Sequence, residues 1–261
     1  VVKMNNKVVF FDIDGTLLDH NKQLPSSTKD SIKQLQESGV YVAIATGRAP
    51  FMYEDLRKEL GIETFVSFNG QYVVFEGEVI YTNPLSKDKL MHLTDFSRKM
   101  EHPLIYMNAE TMKANVEDHS FIHESLGSLN FVHPDLHPSF YDESEIFQTL
   151  LFCEEPHEKL YRENYKDFHF IRWHKYSTDI LPYGGSKAIG IQRMMERMNI
   201  SKENVFAFGD GLNDLEMLSF VGTGVAMGNS HQELKKVANI ITKDVADNGI
   251  QHGLELVGLI K

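Results

Sequence analysis

The chain has 261 residues, 42% hydrophobic and 24% charged, which is a globular composition with enough length for one large domain or two small ones. Its formal net charge of −11 and the lack of a basic stripe argue against a general nucleic-acid binder, which needs clustered Lys and Arg. No apolar run reaches the roughly 18 residues of a membrane-spanning helix.

Cysteine usage and the first residues bear on the cellular compartment. Cys153 is the single cysteine, so no intrachain disulfide can form, and residues 1–7 lack the apolar stretch of a secretory signal. Both features predict a cytoplasmic protein, and the residues before Met4 leave open where the native chain starts. Cys153 ends an apolar run, so it is predicted to lie in a buried strand and not to serve as a catalytic thiol.

The first predicted strand is the apolar run Val8–Phe11, which is typical of a strand buried on both faces. It stops at the run Asp-Ile-Asp-Gly-Thr at 12–16, where Asp12 would project from the carboxyl edge of a sheet, the edge at which open α/β sheets bind ligands. Asp12 and Asp14 would repel each other unless one takes up a proton or a divalent cation binds. Mg²⁺ suits such carboxylates, so the stretch predicts a magnesium site unless it is only a turn.

A helix and a second strand follow. Ser27 and Asp30 predict a capping box at the helix start, Gly39 is expected to end the helix, and residues 40–45 form the second predicted strand. Strand, helix and strand make a βαβ unit, which implies parallel pairing with a right-handed crossover.

The second strand ends in Thr46-Gly47-Arg48, at the same predicted edge as Asp12. A hydroxyl donor and a glycine amide can hold a phosphate oxygen, and the alternative is an ordinary strand-to-helix cap. Arg48 could bind a phosphate through two nitrogens or pair with an acidic neighbour, and the sequence favours neither.

The next residues change in character. A helix is predicted at 51–60, a third strand at 65–68 ending in the turn Asn69-Gly70, and a hairpin at 72–81. The stretch 84–183 then predicts helices at 86–100 and 156–165, strands at 104–107, 149–152 and 168–173, a loop at 133–142 and a return linker at 180–185. We therefore expect a doubly wound, Rossmann-like α/β core at 1–83 and 184–261 with an inserted α+β domain at 84–183.

Two histidines of the insert, His119 and His123, are four positions apart, which is the spacing of two metal ligands on one helix face. The pattern implies no third ligand, so a solvated polar face is the preferred interpretation. The candidate substrate contacts in the insert are polar or aromatic residues: Tyr106, Asn108, Arg172, Trp173 and His174.

Two charged stretches lie in the return segment. Lys187 lies in the first turn of a predicted helix, where the macrodipole disfavours a cation, so either an anionic group lies nearby or Lys187 is an ordinary surface residue. Residues 205–208 predict a buried strand that ends in Gly-Asp-Gly-Leu-Asn-Asp at 209–214. Asp210 again falls at a carboxyl end and Asp214 one turn later, so a metal at this edge could collect carboxylates from two strands.

These stretches resemble the four motifs of the haloacid dehalogenase-like (HAD) phosphatases, in that family's order. The matches are Asp-Ile-Asp-Gly-Thr-Leu at 12–17, Thr46, Lys187 and the run at 209–214, with companion matches at Asn69-Gly70 and at Gly-Val-Ala-Met-Gly-Asn, 224–229. The resemblance covers about 1–83 and 184–261. An insert between the second and third motifs is similar to the Cof-like branch, which carries a type-two (C2B) α/β cap.

The resemblance implies a Mg²⁺-dependent phosphoric monoester hydrolase that forms an aspartyl-phosphate. Asp12 would be the nucleophile and Asp14 the general acid/base, a role that requires a partly raised pKa. The implied metal site consists of Asp12, the Asp14 backbone carbonyl, Asp210 and Asp214. The implied phosphate-binding residues are Ile13, Thr46, Gly47, Lys187 and Asn213, with Arg48 a candidate substrate contact.

The implied substrates are small phosphate esters, such as a sugar phosphate, pyridoxal phosphate or a nucleotide or flavin precursor, and the cap would select the leaving group. No nucleic-acid, membrane or obligate protein partner is indicated. Two alternatives stay open: a phosphotransferase that passes the phosphoryl group to a sugar hydroxyl, and a non-hydrolysing ligand sensor. Such sensors usually lack the nucleophile or the acid/base, whereas Asp12 and Asp14 are both present.

Overall fold

The computed structural model of the chain describes residues 6–261, so Met4 and the residues before it lie outside the described part. The chain forms two compact units, each with its own sheet. The first runs from the start of the described chain to Arg48 and includes Tyr53–Tyr81 and Ser186–Lys261, and the second comprises Ala49–Met52 and Thr82–Gly185. The predicted domain boundaries lie two residues away (83 against 81, and 183 against 185) and remain a prediction.

The first unit is built on an eight-stranded sheet. Its elements before the insertion are β1 (Val8–Phe11), α1 (Ser26–Glu37), β2 (Tyr41–Ala45), α2 (Glu54–Leu60), β3 (Phe65–Ser67), β4 (Tyr72–Phe75) and β5 (Glu78–Thr82).

The second unit supplies the next elements in chain order. They are α3 (Lys87–Lys99), β6 (Leu104–Met107), β7 (Met112–Ala114), α4 (Ser120–Gly127), α5 (Phe140–Glu143), β8 (Gln148–Phe152), α6 (Glu155–Asn164), β9 (Phe168–His174) and β10 (Ser177–Pro182).

The chain then returns to the first unit. Its remaining elements are α7 (Lys187–Met198), β11 (Val205–Gly209), α8 (Leu215–Phe220), β12 (Thr223–Ala226), α9 (Gln232–Val237), β13 (Ile240–Ile241) and α10 (Gly249–Leu256).

The order of the strands decides where polar side chains meet. The eight-stranded sheet runs β13-β12-β11-β1-β2-β3-β4-β5, and β1 pairs in parallel with both β11 and β2. All four residues of β1 are fully buried, as expected for a central strand covered on both faces. The carboxyl ends of β11, β1, β2 and β3 therefore lie side by side at one edge of the sheet.

Helices cover both faces of this sheet, to which alternate side chains of β1 point. On one face Phe10 packs in one core with Ile191 and Met194 of α7. On the other the Phe11 ring stacks on Phe208 at 5.0 Å, and Phe208 lies against Gly253 of α10. The predicted doubly wound α/β core with an inserted α+β unit is confirmed.

The second unit has a five-stranded antiparallel sheet in the order β7-β6-β8-β10-β9. Leu90, Leu93 and Tyr161 of α3 and α6 pack against one face of it. The predicted return linker at 180–185 is wrong in its first half, because Ile180 and Leu181 are fully buried in β10 between β8 and β9.

Three further predictions about local structure are wrong. The helix predicted at 51–60 is a 3₁₀ turn at Pro50–Tyr53 followed by α2. The expected capping box fails because α1 already begins at Ser26, with Pro25 at its N-cap and no side-chain capping bond there. The predicted loop at 133–142 contains the start of α5.

An internal ion-pair group ties α6 to the sheet of the second unit. Glu158 accepts hydrogen bonds from Arg162, Arg172 and Thr178, each at 2.6 Å. Burial alone would raise the pKa of Glu158, but these donors lower it. Arg172, a candidate substrate contact, is therefore engaged inside the unit.

Two further expectations concern buried groups of the second unit. Tyr106, another candidate substrate contact, is fully buried and bonded to Thr94. Cys153 is also fully buried, and burial raises its pKa to about 11, in agreement with a core residue. Within residues 6–261, no helix combines the length and the apolar composition that crossing a bilayer requires.

We predict that Gly70→Ala lowers the free energy of unfolding by about 3 kcal/mol or more. Gly70 has φ 102°, and a Cβ there would overlap the carbonyl oxygen of Ser186, which is backbone and cannot rotate away. Urea denaturation measures the change. The matched control is Gly77→Ala, because Gly77 has φ 81° with open space around it and should cost only about 1–2 kcal/mol. Equal losses in the two variants would contradict the steric argument.

Candidate active site

The polar loops that follow β1, β2 and β11, together with the first turn of α7, form one cluster at the carboxyl edge of the first unit's sheet. Asp12 follows β1 directly, and its backbone N–H donates to Phe208 O of β11 at 3.0 Å. Thr46 follows β2 directly, and its N–H donates to Val66 O of β3 at 2.9 Å. The hydrogen bonds between the strands therefore continue into the cluster and fix the backbone of Asp12 and Thr46.

Lys187 lies at the centre of the cluster. Its side chain is fully buried, and Nζ donates to Asp12 Oδ1 and to Asp214 Oδ1, both at 2.6 Å. Burial opposes the charge on Lys187, but the two carboxylates raise its pKa above the usual range. The anionic neighbours expected beside a cation in the first turn of a helix are thus present.

Three carboxylates form a group that could hold a metal ion. One oxygen each of Asp12, Asp210 and Asp214 lies within 4.8 Å of the other two. Burial raises the pKa of Asp12 and of Asp210, and repulsion from the neighbouring carboxylates raises both further. A divalent cation would relieve this repulsion, so the donor set fits a hard metal ion bound by oxygen.

The two carboxylates of the loop after β11 are held differently. Asp214 Oδ2 accepts from the backbone N–H groups of Asp210 and Gly211 at 3.0 Å, while its Oδ1 bonds Lys187. Asp210 Oδ1 accepts from Thr16 Oγ1 at 2.9 Å. Both oxygens of Asp214 are therefore engaged within the protein, which suits a supporting role at a metal site better than direct coordination.

Asp14 has partners of its own. Arg48 forms a bidentate pair with it, from Nε to Oδ2 at 2.8 Å and from Nη2 to Oδ1 at 2.7 Å, and Lys22 Nζ donates to Oδ1 at 2.6 Å. Burial raises the pKa of Asp14, but the two cations outweigh it and lower the pKa below its usual value. The expectation that the pKa of Asp14 is partly raised is therefore wrong for this structure. Of the two roles that the sequence left open for Arg48, the structure shows the pairing with an acidic neighbour.

Lys22 belongs to the cluster, although no sequence pattern indicates it. Its backbone has φ 59°, and Asp19 holds the turn, because Asp19 Oδ1 accepts from Asn21 N and Gln23 N at 2.8 and 2.9 Å. No periodic pattern marks Lys22, and only the Asp-x-Asn pattern of a turn precedes it.

The predicted phosphate-binding residues lie in the same cluster. Thr46 is buried and its Oγ1 accepts from Arg48 N at 3.1 Å. Asn213 donates from Nδ2 to Asn69 Oδ1 at 3.1 Å, and Asn69 Nδ2 lies 2.9 Å from the position that a Cβ on Gly47 would take. Asn69, which the sequence marks only as a turn residue and as part of a companion match, thus lies in the cluster next to Asn213.

Ile13, the remaining predicted phosphate contact, has a fully buried side chain, so only its backbone could meet a ligand. Its carbonyl oxygen accepts from Thr16 N and Leu18 N at 3.3 and 2.8 Å, which fixes the turn after β1.

The histidine pair of the second unit does not form a metal site among the described residues. His119 is the N-cap of α4 and accepts from Phe121 N, whereas His123 pairs with Asp118 at 2.6 Å. The two rings therefore have different partners, as the interpretation as a polar surface implies.

Comparison with known proteins gives consistent matches. A sequence profile of the haloacid dehalogenase-like hydrolases matches residues 9–254. YkrA of Bacillus subtilis (strain 168), which carries a provisional phosphatase name, is 47% identical over 258 residues, 99% of this chain and 100% of YkrA. Pyridoxal phosphate phosphatase YbhA of Escherichia coli (strain K12) is 28% identical over 95% of this chain and 97% of its own length. The 5-amino-6-(5-phospho-D-ribitylamino)uracil phosphatase YitU of Bacillus subtilis (strain 168) is also 28% identical, over 95% and 96%.

Solved structures agree. A hypothetical protein from Geobacillus kaustophilus HTA426 superposes with a TM-score of 0.93 at 59% identity, covering 97% of this chain and 99% of that one. The HAD subclass IIB sugar phosphatase BT4131 superposes with a TM-score of 0.87 at 27% identity, covering 97% and 100%. The predicted resemblance to the Cof-like branch with a type-two (C2B) cap and the predicted hydrolase class are confirmed. The chain belongs to the haloacid dehalogenase-like hydrolase family.

Proposed function

We propose that this protein is a Mg²⁺-dependent phosphatase that hydrolyses small phosphomonoesters through an aspartyl-phosphate. The observation that carries the proposal is the pairing of a buried ammonium with the aspartate at the end of β1: Lys187 Nζ lies 2.6 Å from Asp12 Oδ1. A carboxylate attacks a phosphate dianion only if the repulsion between them is neutralised, and Lys187 supplies one charge where the two would meet.

The reaction proceeds by two displacements at phosphorus. The Asp12 carboxylate oxygen attacks phosphorus, the bond from phosphorus to the ester oxygen breaks, and the departing oxygen receives a proton from Asp14. Water then attacks the phosphorus of the aspartyl-phosphate and gives a proton to Asp14. The bond from phosphorus to Asp12 breaks, and inorganic phosphate leaves with Asp12 and Asp14 restored.

Asp12, Asp210 and the Asp14 backbone carbonyl would hold Mg²⁺, with Asp214 in support. When bound, the ion would neutralise negative charge on the phosphoryl oxygens. Thr46, the backbone amides of Ile13 and Gly47, and Asn213 would hold those oxygens.

The pairing of Asp14 with Arg48 and Lys22 has a consequence for the proposed acid step. A carboxylate that holds two cations is a weak acid catalyst, since both cations favour its ionised form. We infer that Asp14 leaves at least one of these partners when an ester binds. Arg48 could then turn to an anionic group of the substrate, as the candidate contact that the sequence suggested.

The names of the relatives support a proposal for the substrate class. Proteins named for a sugar phosphate, for pyridoxal phosphate and for a flavin precursor share the fold or the sequence over nearly the whole chain. We propose a small phosphate ester of one of these types for this protein.

We predict that Asp12→Asn lowers Mg²⁺-dependent phosphate release by more than about 10⁴-fold on every active ester, because the amide cannot form the aspartyl-phosphate. A panel of phosphomonoesters with Mg²⁺ or with chelator measures the effect, and chelator should abolish release by the native chain. The control is Asp55→Asn on α2, which is exposed and should keep full activity. Release that survives in Asp12→Asn would contradict the proposed nucleophile.

We predict that Asp210→Asn raises the Mg²⁺ concentration for half-maximal activity by about 10- to 100-fold, since one carboxylate of the metal group is lost. Titration of activity with Mg²⁺ measures the shift. Thr16→Val is the graded companion: it removes the 2.9 Å bond to Asp210 but no charge, so its shift should be smaller. An unchanged metal requirement in Asp210→Asn would rule out this metal site.

We predict that Asp14→Asn lowers kcat/KM by about 10²- to 10⁴-fold for an alkyl phosphate and by clearly less for p-nitrophenyl phosphate. A nitrophenolate departs without protonation, whereas an alkoxide needs the acid. The measurement is the ratio of kcat/KM for the two esters, compared with that of the native chain, because kcat/KM does not include the hydrolysis of the aspartyl-phosphate that both esters share. Equal losses on both would contradict the role of Asp14 as the acid of the first step.

A further inference from the structure

The loop after β3 has an unusual backbone. Phe68, Asn69 and Gly70 have φ 51°, 50° and 102°, so three successive residues adopt left-handed conformations. Two of them are not glycine, and such residues hold this conformation only where surrounding contacts fix it. Asn69 is only 2% exposed, so its polar side chain points into the protein.

The backbone of this loop is bonded to the loop after β2. Phe68 N donates to Arg48 O at 3.2 Å, and Asn69 N donates to Thr46 O at 3.0 Å. The left-handed turn is what brings these two N–H groups to carbonyl oxygens of the neighbouring loop. Both accepting residues belong to the candidate site.

The loop also touches two other parts of the cluster. Gly70 packs against the carbonyl oxygen of Ser186, directly before Lys187. The Asn69 side chain accepts a hydrogen bond from Asn213 Nδ2 at 3.1 Å, and its Nδ2 lies next to Gly47. One loop therefore contacts the segments that carry Thr46, Lys187 and Asn213.

We propose that Asn69 is a positioning residue that orients the Asn213 amide toward the phosphoryl group. The inference rests on the proposed function, in which Asn213 binds a phosphoryl oxygen. The amide nitrogen of Asn213 has two N–H groups, and donation of one to Asn69 sets the direction of the second. Asn213 is half-buried, so without this bond the amide would rotate and order only when phosphate binds.

The competing explanation is that Asn69 only forms the turn, because asparagine tolerates left-handed backbone better than most residues. A double-mutant cycle separates the two. Asn69→Gly removes the side chain and keeps the backbone conformation accessible, and Asn69→Asp keeps an acceptor oxygen for Asn213. Each variant is made with and without Asn213→Ala. The measurements are the dissociation constant of inorganic phosphate with Mg²⁺ present, by calorimetric titration, and kcat/KM for one phosphomonoester.

We expect Asn69→Gly to weaken phosphate binding and lower kcat/KM by about fivefold, the value of one hydrogen bond. In the Asn69→Gly chain, Asn213→Ala should weaken phosphate binding by less than about a further twofold, although in the native chain the same substitution weakens binding more. In the Asn69→Asp chain, Asn213→Ala should weaken binding as much as in the native chain, because the acceptor oxygen is retained. The charge that Asn69→Asp adds weakens phosphate binding equally with and without the Asn213 side chain, so it cancels from the ratio of the two dissociation constants.

The inference is overturned if Asn213→Ala costs the same factor with and without the Asn69 side chain, or if Asn69→Gly changes only the unfolding midpoint. Asn239→Ala is the matched control: it removes a 2.7 Å bond to Gly224 N near the start of β12, and should lower stability but leave phosphate affinity unchanged. If Asn69→Gly does not fold, Asn69→Ser, whose side chain is too short to reach Asn213, takes its place in the cycle.

Failure of the proposed function gives a different result. If the native chain binds inorganic phosphate but hydrolyses no ester, the proposed phosphatase activity is overturned, and the phosphate titration still tests the role of Asn69. A native chain that binds no phosphate overturns both.

Discussion

The buried ammonium of Lys187 is the interaction on which the candidate site depends. Oxygens of Asp12, Asp210 and Asp214 lie within 4.8 Å of one another, and such crowding of carboxylates away from water opposes folding. Lys187 is fully buried between two of them and compensates part of their charge. Because the compensation is incomplete, the site retains negative charge that a divalent cation can balance. The same crowding that costs stability thus creates affinity for a metal.

The two aspartates of the first motif are divided between two sets of cations. Asp12 pairs with Lys187 in the buried interior, whereas Asp14, two residues later, pairs with Arg48 and Lys22 where water has access. Two carboxylates so close in sequence can perform different chemistry only if the charged groups and the solvent access around them differ. The parallel strand order makes the division possible, because β1 lies between β2, which leads to Arg48, and β11, which leads to Asp214.

Much of this arrangement could be predicted from the sequence, because a buried apolar run that stops at a polar residue marks the end of a central strand. Asp12, Thr46 and Asp210 could be placed at one edge on that basis. Lys22 could not, since it lies at a left-handed position that no periodic pattern encodes, and Asn69-Gly70 predicts a turn but not the contact of Asn69 with Asn213. The start of α1 and the end of β10 differ from the prediction, because α1 begins one residue before Ser27 and the buried pair Ile180-Leu181 continues β10 to Pro182.

The insertion between β5 and α7 has a consequence for biosynthesis. Val8 of β1 pairs with Val205 of β11, so on the ribosome the first strand emerges long before one of its two neighbours. The second unit, which has its own core, is complete before Lys187 is translated. Until then β1 presents an open, apolar edge and Asp12 lacks its buried counter-charge. The nascent chain therefore carries an apolar strand with one unpaired edge until α7 and β11 are translated, and such an edge can pair with other chains.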